Sequence, residues 1–308
     1  MKFIITVDTE ADNQWKSGGD ISLTNIFAVP RFQALCDKYE FPVTYLITYE
    51  VAASDDAFAI LKPLQEGGRA EIGAHLHPWT TPPYFDEAQE HALMHFPSEL
   101  TDSSLRDKFV VLHQQITKRY GAPTSFRAGR WGYDMRVGAL LEEFGYIADC
   151  SVTPYINWGR SIKNGAGRML PDFIDEDVFP HMRTKSVVEI PMTILPKDRA
   201  WVSRFGARVL NRGSFRVQWC RIFPQTTISE LTSVYEKAKQ HNLPYLEFMV
   251  HSSELVAGGS PYVKNSEALE HFYVVYEGFL KILSEQHTAG STLTKAAEEF
   301  RKVEAVNN

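Results

Sequence analysis

The chain has 308 residues, 44% of them hydrophobic and 23% charged, an ordinary soluble globular mix. With 32 basic and 38 acidic residues the formal net charge is -6 and no basic run occurs, which argues against a nucleic-acid partner; the 12% aromatic content argues against disorder. The cysteines, Cys36, Cys150 and Cys220, are odd in number, widely spaced and without a CxxC pair, so neither a disulfide framework nor a thiolate zinc site is expected, and a reducing compartment fits. The first apolar stretch, Phe3 to Val7, ends at Asp8 and is too short for a signal-peptide core. No apolar run approaches the roughly 18 residues of a membrane span. The expectation is a cytoplasmic protein with no membrane span.

Short apolar runs alternate with helical spacing along the chain. Phe3–Val7 reads as a strand. Phe32, Leu35, Cys36 and Tyr39 follow a helical stripe after Pro30, a favoured helix-start residue. Val43–Ile47 is a second strand; Phe58, Leu61 and Leu64 form a helix that stops at Gly67-Gly68; Ala70–Ala74 is a third strand. A loop rich in proline and aromatics follows. Leu105, Phe109, Leu112 and Ile116 mark the next helix, ending at Gly121, and Ser125–Arg127 is a short strand. A helix runs from near Asp134 to Gly145, then a fifth strand covers Ile147–Ser151. The pattern loosens over 152–185, returns as a strand at Val187–Pro191, and loosens again over 192–226. Ile228, Leu231, Tyr235 and Ala238 suggest a helix, Tyr245–Val250 a seventh strand, Leu269 to Leu283 a long amphipathic helix, and a last helix begins near Leu293.

At about 150 residues per domain the length suggests two domains, but α/β barrels run to about 250 residues as one. Seven strand–helix units favour a single barrel-like domain over 1–308, with irregular insertions at about 152–185 and 192–226. An open doubly wound sheet would carry a glycine-rich phosphate loop after its first strand, where this chain has Asp8-Thr9-Glu10.

The informative polar groups sit at strand ends: Asp8 and Glu10 after the first, His75 and His77 after the third, Arg127 at the fourth, Asp149 and Ser151 at the fifth, His251 at the seventh. In a parallel barrel these ends share the face that holds the active site. Side chains two apart on a strand point the same way, so Asp8 pairs with Glu10 and His75 with His77. Taken alone, Asp8-x-Glu10 is as well explained as a solvated strand end, and His75-x-His77 as a loop, as either is by a metal. Together, with His251, two carboxylates and two imidazoles form a divalent-metal site of the kind that suits zinc. Arg127 is placed to orient a carboxylate at the mouth of an anionic pocket, and Arg130 is a second cation nearby. Asp149 ends an apolar strand and needs a partner; it either polarises a histidine or caps a turn. Trp15, Trp79, Trp131, Tyr133, Tyr155, Trp158 and Tyr262 lie in loops beyond strand ends, where aromatic faces suit a sugar ring and also serve as rim packing.

Taken in order, Thr6-Val7-Asp8-Thr9-Glu10, Glu71-Ile72-Gly73-Ala74-His75-Leu76-His77-Pro78, Phe126-Arg127-Ala128-Gly129, Asp149-Cys150-Ser151 and Val250-His251 resemble the five motifs of the polysaccharide deacetylases. That is the NodB-homology family, carbohydrate esterase family four. Its cell-surface-polysaccharide branch is suggested by His-Leu-His-Pro-Trp, His-Ser-Ser-Glu-Leu and Gly-Gly-Ser-Pro-Tyr. The resemblance implies a distorted (β/α)7 barrel and metal-dependent removal of N- or O-acetyl groups. It implies Asp8 as general base, His75 and His77 as metal ligands, Arg127 as the arginine that holds the base, Asp149 as the fourth-motif aspartate and His251 as general acid. Thr9 stands where the common pattern has a metal-binding aspartate, so the third ligand moves to Glu10. The histidines are two apart and not four, and the proline of the third motif is missing. The implied cofactor is a divalent metal, zinc by choice. The implied substrate is an acetylated sugar or polysaccharide precursor, free, nucleotide-linked or lipid-linked, contacted by Trp79, Arg130, Trp131 and Tyr262. The implied chemistry is polarisation of an amide carbonyl by the cation, removal of a proton from water by Asp8, and delivery of a proton to the leaving amine by His251.

Other barrels with His-x-His, the amidohydrolases and the PHP phosphoesterases, carry it on the first strand; here it follows the third. On the resembled scaffold, deformylases and ureide amidohydrolases remain alternatives, as does a catalytically inactive sugar-binding protein. The segments 152–185 and 192–226 leave strand ends on the expected active-site face and are far longer than the usual connections of about 2–6 residues. At least one is expected to cover the pocket, with Trp158 or Trp219 as contacts.

Overall fold

The structure, a computed structural model, describes residues 1–12, 14, 21–86, 95–161, 168–197 and 217–307. The strands are β1 (Lys2–Thr9), β2 (Val43–Ile47), β3 (Ala70–Leu76), β4 (Ser125–Ala128), β5 (Ala148–Asp149), β6 (His181–Met182), β7 (Val188–Glu189), β8 (Ile194–Pro196), β9 (Val217–Trp219), β10 (Tyr245–His251) and β11 (Ala289–Ser291). The helices are α1 (Val29–Lys38), α2 (Tyr49–Ala53), α3 (Asp55–Glu66), α4 (Asp102–Tyr120), α5 (Met135–Glu143), α6 (Trp158–Ser161), α7 (Ile228–Gln240), α8 (Ser266–Glu285) and α9 (Leu293–Asn307).

The main sheet runs β10-β1-β2-β3-β4-β5-β7-β6, with β11 paired to the first residues of β1. Every pairing is parallel except that of β6 with β7. The seven parallel strands expected from sequence are all present, as β1, β2, β3, β4, β5, β7 and β10. They curl into a half-barrel with helices packed outside, the distorted-barrel architecture. β1 is buried along almost its whole length because neighbours flank it on both edges and side chains cover both faces; hence its unbroken apolar run. Between β7 and β10 the wall is carried by single hydrogen bonds: Glu247 N–H donates to Thr193 Oγ1 (2.9 Å) and Cys220 N–H to the Thr193 carbonyl (2.9 Å). Beside this gap β8 and β9 form a separate antiparallel pair.

Helix limits follow local chemistry. Asp134 caps α5 by accepting from the backbone N–H groups of Arg136 and Val137, and Thr227 with Glu230 makes a capping box at α7. Gly121 ends α4 at φ 92°, a conformation that costs a residue with a Cβ. The helix α8 presses Tyr276 between Phe32 of α1 and Phe248 of β10, both ring pairs stacked at 5.0 Å. That column fixes β10, and so the strand end that carries His251. β6, β8, β9 and β11 are not expected from sequence; each has two or three residues, too few to show a periodicity. Parts of both loosely patterned segments, 162–167 and 198–216, lie outside the described residues, as does Trp15. Among the described residues no helix is long and apolar enough to cross a membrane.

Candidate active site

Register brings the polar groups together. Asp8 on β1 is the partner of His251 on β10, and His75 on β3 is the partner of Arg127 on β4. Asp8, Glu10, His75 and His77 are all buried at the carboxyl ends of β1 and β3, on either side of β2. Gly73 and Gly129 make this approach feasible. A Cβ on Gly73 would stand 2.3 Å from Ser125 Oγ, and one on Gly129 would stand 2.4 Å from the Leu76 carbonyl oxygen and 2.5 Å from the His77 ring.

The two imidazoles face each other, Nε2 to Nε2, at 2.9 Å. His75 Nδ1 lies 2.9 Å from the Arg127 carbonyl, which can only accept, so Nδ1 carries the proton and Nε2 is a bare lone pair. Glu10 Oε2 is 3.3 Å from His77 Nε2 and 4.0 Å from His75 Nε2. Burial lowers the proton affinity of both rings, and for His77 the neighbouring His75 and His251 lower it further, well below the ordinary imidazole range. Burial, then the charges of Asp8, Glu50 and Glu254, push the Glu10 carboxyl well above its usual range. His77 Nδ1 has no hydrogen-bond partner among the described residues. Either His77 donates from Nε2 to His75 and leaves its buried Nδ1 lone pair without a partner, or two lone pairs face each other; beside a buried carboxyl both arrangements are costly without positive charge. One divalent cation among Glu10, His75 and His77 would give both Nε2 lone pairs and the Glu10 carboxylate a positive charge to face, and their ligand atoms all lie within 4.8 Å of one another. The donor set, two nitrogens and one oxygen, is that of a catalytic zinc site.

Arg127 is not at the mouth of the pocket. It is fully buried beneath Asp8, because four acceptors converge on it. Its Nη1 donates to Asp8 Oδ1 (2.5 Å), Nη2 to Glu247 Oε1 (2.6 Å) and Thr6 Oγ1 (2.9 Å), and Nε to the Cys150 carbonyl (3.2 Å). Burial would raise the Asp8 carboxyl, but Arg127, with His75 and His251, outweighs it and holds Asp8 below its usual range. Asp8 is therefore an anion with Oδ1 engaged, and Oδ2 faces His75 Nε2 (3.7 Å) and His251 Nε2 (3.8 Å).

Asp149 is not the carboxylate that holds His251. Its Oδ1 accepts from Ser151 Oγ (2.6 Å), whose oxygen accepts from the Ala128 backbone N–H (2.9 Å), so Asp149 braces the β4–β5 edge. Burial and the adjacent Glu189 push the Asp149 carboxyl well up. His251 Nδ1 instead meets Glu254 Oε1 at 2.7 Å, and Arg221 Nη2 reaches the same oxygen. Two of these carboxylates were accessible from sequence: Glu254 follows His251 by three residues, and Glu247 interrupts an apolar strand. Arg221 was not, because it falls in an unpatterned segment.

Above these groups is a cavity of about 360 Å³ lined by Asp8, Glu10, His75, His77 and His251 and by aromatic rings. Of the residues expected to meet substrate, Trp79, Arg130, Trp131 and Tyr262 all line it, and Trp158 and Trp219 join them. Trp79 stacks on His77 with ring centres 4.1 Å apart, its Nε1–H donating to Gln14 (2.7 Å). Arg130 and Trp131 are consecutive residues in the left-handed region, φ 52° and 62°, a strain that turns both toward the cavity. Tyr133 and Tyr155 are core residues: Tyr133 packs under Arg183, and Tyr155 is buried.

No protein-family model matches the chain, and comparison with curated proteins gives no match. Solved structures do match. A protein assigned to the polysaccharide deacetylases from Mycobacterium smegmatis superposes with a TM-score of 0.57 at 14% identity, covering 98% of this chain and 92% of that one. A GH57 branching enzyme from Thermococcus kodakaraensis gives 0.56 at 11% identity, covering 97% and 71%. A 4-alpha-glucanotransferase from Thermococcus litoralis gives 0.53 at 11% identity over 95% of this chain, which spans only 39% of that protein. At such identities the likeness is one of backbone, and the chain has the polysaccharide-deacetylase fold, a curled half-barrel of parallel strands with its polar strand ends gathered on one face.

Proposed function

We propose that the chain is a metal-dependent hydrolase that removes N-acetyl or O-acetyl groups from a sugar or polysaccharide precursor, and that residues 1–308 act as one catalytic domain. The observation that carries this reading is the Glu10–His75–His77 cluster, flanked by Asp8 on its arginine and by His251 on the other side of Asp8. Glu10, His75 and His77 would hold the cation, zinc by donor type. When bound, it supplies Lewis-acid polarisation of the acyl oxygen and a more acidic water. Asp8, kept ionised by Arg127, takes a proton at Oδ2, its free oxygen. His251 donates a proton from Nε2 to the departing amine nitrogen. Trp79, Trp131, Trp219 and Tyr262 offer ring faces to the sugar, and Arg130 orients it.

The fold shared with glucan-active enzymes raises glycosidic cleavage by two carboxylates as a second reading. The facing imidazoles favour acyl hydrolysis, since a buried pair of imidazoles beside a carboxyl has no task in glycosidic cleavage. The test is to assay zinc-loaded protein on N-acetylated and N-formylated sugars, O-acetylated glycans and α-glucans. Acetate release lost on chelation and restored by zinc is the expected result. Formate release alone would point to a deformylase, glucan cleavage would move the chain to the second reading, and ligand retention without turnover would make it a sugar-binding protein.

A further inference from the structure

Glu254 lies three residues beyond His251, in the 3-10 turn Ser252–Leu255, and is fully buried. A buried carboxylate is costly unless charged or donating groups compensate it. Three donors meet at its Oε1: His251 Nδ1 at 2.7 Å, Arg221 Nη2 at 2.5 Å and the His251 backbone N–H at 3.3 Å. Arg221 Nη2 also stands 3.1 Å from His251 Nδ1. A guanidinium keeps its hydrogens, so only two arrangements satisfy this triangle. Either Nδ1–H donates to the carboxylate, or a bare Nδ1 accepts from Arg221. The shorter contact and the negative charge favour the first.

We propose, on the hydrolase reading above, that Glu254 is the positioning residue for His251: it holds the ring with a proton on Nδ1, so that Nε2, facing Asp8, is the atom that loads and delivers the catalytic proton. Arg221, brought in by the segment after β9, keeps Glu254 ionised and limits the negative charge that the ring feels. Burial would raise Glu254, but Arg221 and His251 hold it below its usual range. The charged and titratable groups around the ring are Asp8 from β1, the neutral His75 and His77 at the end of β3, Arg221 and Glu254. In the step itself the acyl C–N bond breaks, its electron pair stays on nitrogen, and nitrogen takes the Nε2 proton. The acyl carbon keeps the water oxygen, and the ring returns to its neutral form with Nδ1–H still on Glu254. A carboxylate that orients a histidine and fixes its tautomer in this way is a familiar device of acyl hydrolysis; here it is supplied by the same turn as the histidine.

The ring is read directly by nitrogen-15 to proton correlation spectra of histidine-labelled protein, zinc-loaded and metal-free, with His251→Gln to assign the signal. Expected is a neutral ring protonated on Nδ1; a neutral ring protonated on Nε2 overturns the proposal without any variant. In Glu254→Gln we expect the Nδ1 preference to weaken, kcat on an N-acetyl sugar to fall about 10²-fold with KM within about twofold, and hydrolysis of an activated aryl acetate to fall far less. Equal losses on both substrates, or an unchanged kcat, overturn it. The spectrum needs no turnover. Absence of acyl hydrolysis in the unaltered chain therefore counts against the proposed function, whereas a wrong tautomer counts against Glu254.

Discussion

Asp8 and Glu10 are two residues apart, equally buried and chemically alike, yet their surroundings push them in opposite directions. The difference is Arg127, which bonds one carboxylate and not the other. Asp8→Asn keeps the shape and removes the base, so metal content should stay and turnover should drop by about 10²-fold or more. Loss of zinc from this variant, measured by elemental analysis, would show that the two carboxylates have exchanged roles. His75→Ala or His77→Ala should each lower zinc content, and full occupancy in both variants would mean the site is elsewhere. A third expectation concerns pH. Asp149 and Glu189 are both raised, burial being the first cause, and for Asp149 the neighbouring Glu189 the second. The folded chain therefore keeps protons on this pair that the unfolded chain releases, and the stabilisation is present below the ordinary carboxyl range and lost as pH rises through the raised values. Glu189→Gln removes one of the two charges, so its unfolding free energy should decline less than that of the unaltered chain between about pH 4 and pH 8. Equal decline in urea titrations across that range would remove the pair from the account. Asp8, Glu10, His75, His77 and His251 could be found from sequence because period-two spacing at a strand end is a local property. Glu254 was within reach too, three residues beyond His251, but not Arg221, because strand order says which ends share a face and an unpatterned segment does not say which side chains touch.

At the scale of elements, the site depends on how closely β3 and the turn after β4 approach. Gly129→Ala places a methyl group against the Leu76 carbonyl and the His77 ring. It should destabilise the fold by about 1–3 kcal/mol and weaken zinc binding, as read by urea unfolding and by metal titration. Unchanged zinc affinity would mean that His77 moves aside freely. The strand–helix alternation was plain in the sequence wherever runs were long: the helix stops at Gly67 and Gly121, and the cap at Asp134, are side-chain chemistry acting over a few residues. The short strands β8 and β9 were invisible because their pairing is imposed by the gap between β7 and β10. Trp219 on β9 and Trp158 on α6 both line the cavity, as expected for contacts of a covering segment. Trp219→Ala should raise KM for a sugar substrate and leave zinc content alone; an unchanged substrate profile would assign the ring to packing, since it also lies against Trp131.

For the whole molecule, a Glu10–His75–His77 cluster that is assembled only in the folded chain makes folding and metal binding cooperate. At free zinc a hundredfold above Kd the gain is about 2.7 kcal/mol. For a chain of this size that corresponds to a melting-temperature rise of roughly 4 °C, absent in His75→Ala. No rise with zinc, manganese or cobalt would separate the fold from metal chemistry. The sequence by itself determined the number and order of the parallel strands and the face on which they end. Hydrophobic runs, glycine stops and period-two polar pairs are written over neighbouring residues, and a parallel sheet leaves few ways to arrange them. Tertiary structure alone decided that Arg127 lies beneath Asp8 and not at the mouth, that Asp149 braces the β4–β5 junction, and that Arg221 joins Glu254 at His251. Those pairings join residues far apart in the chain, or side chains whose direction is set by burial. In a low-dielectric interior the nearest opposite charge wins, and which charge is nearest is a matter of packing and not of spacing.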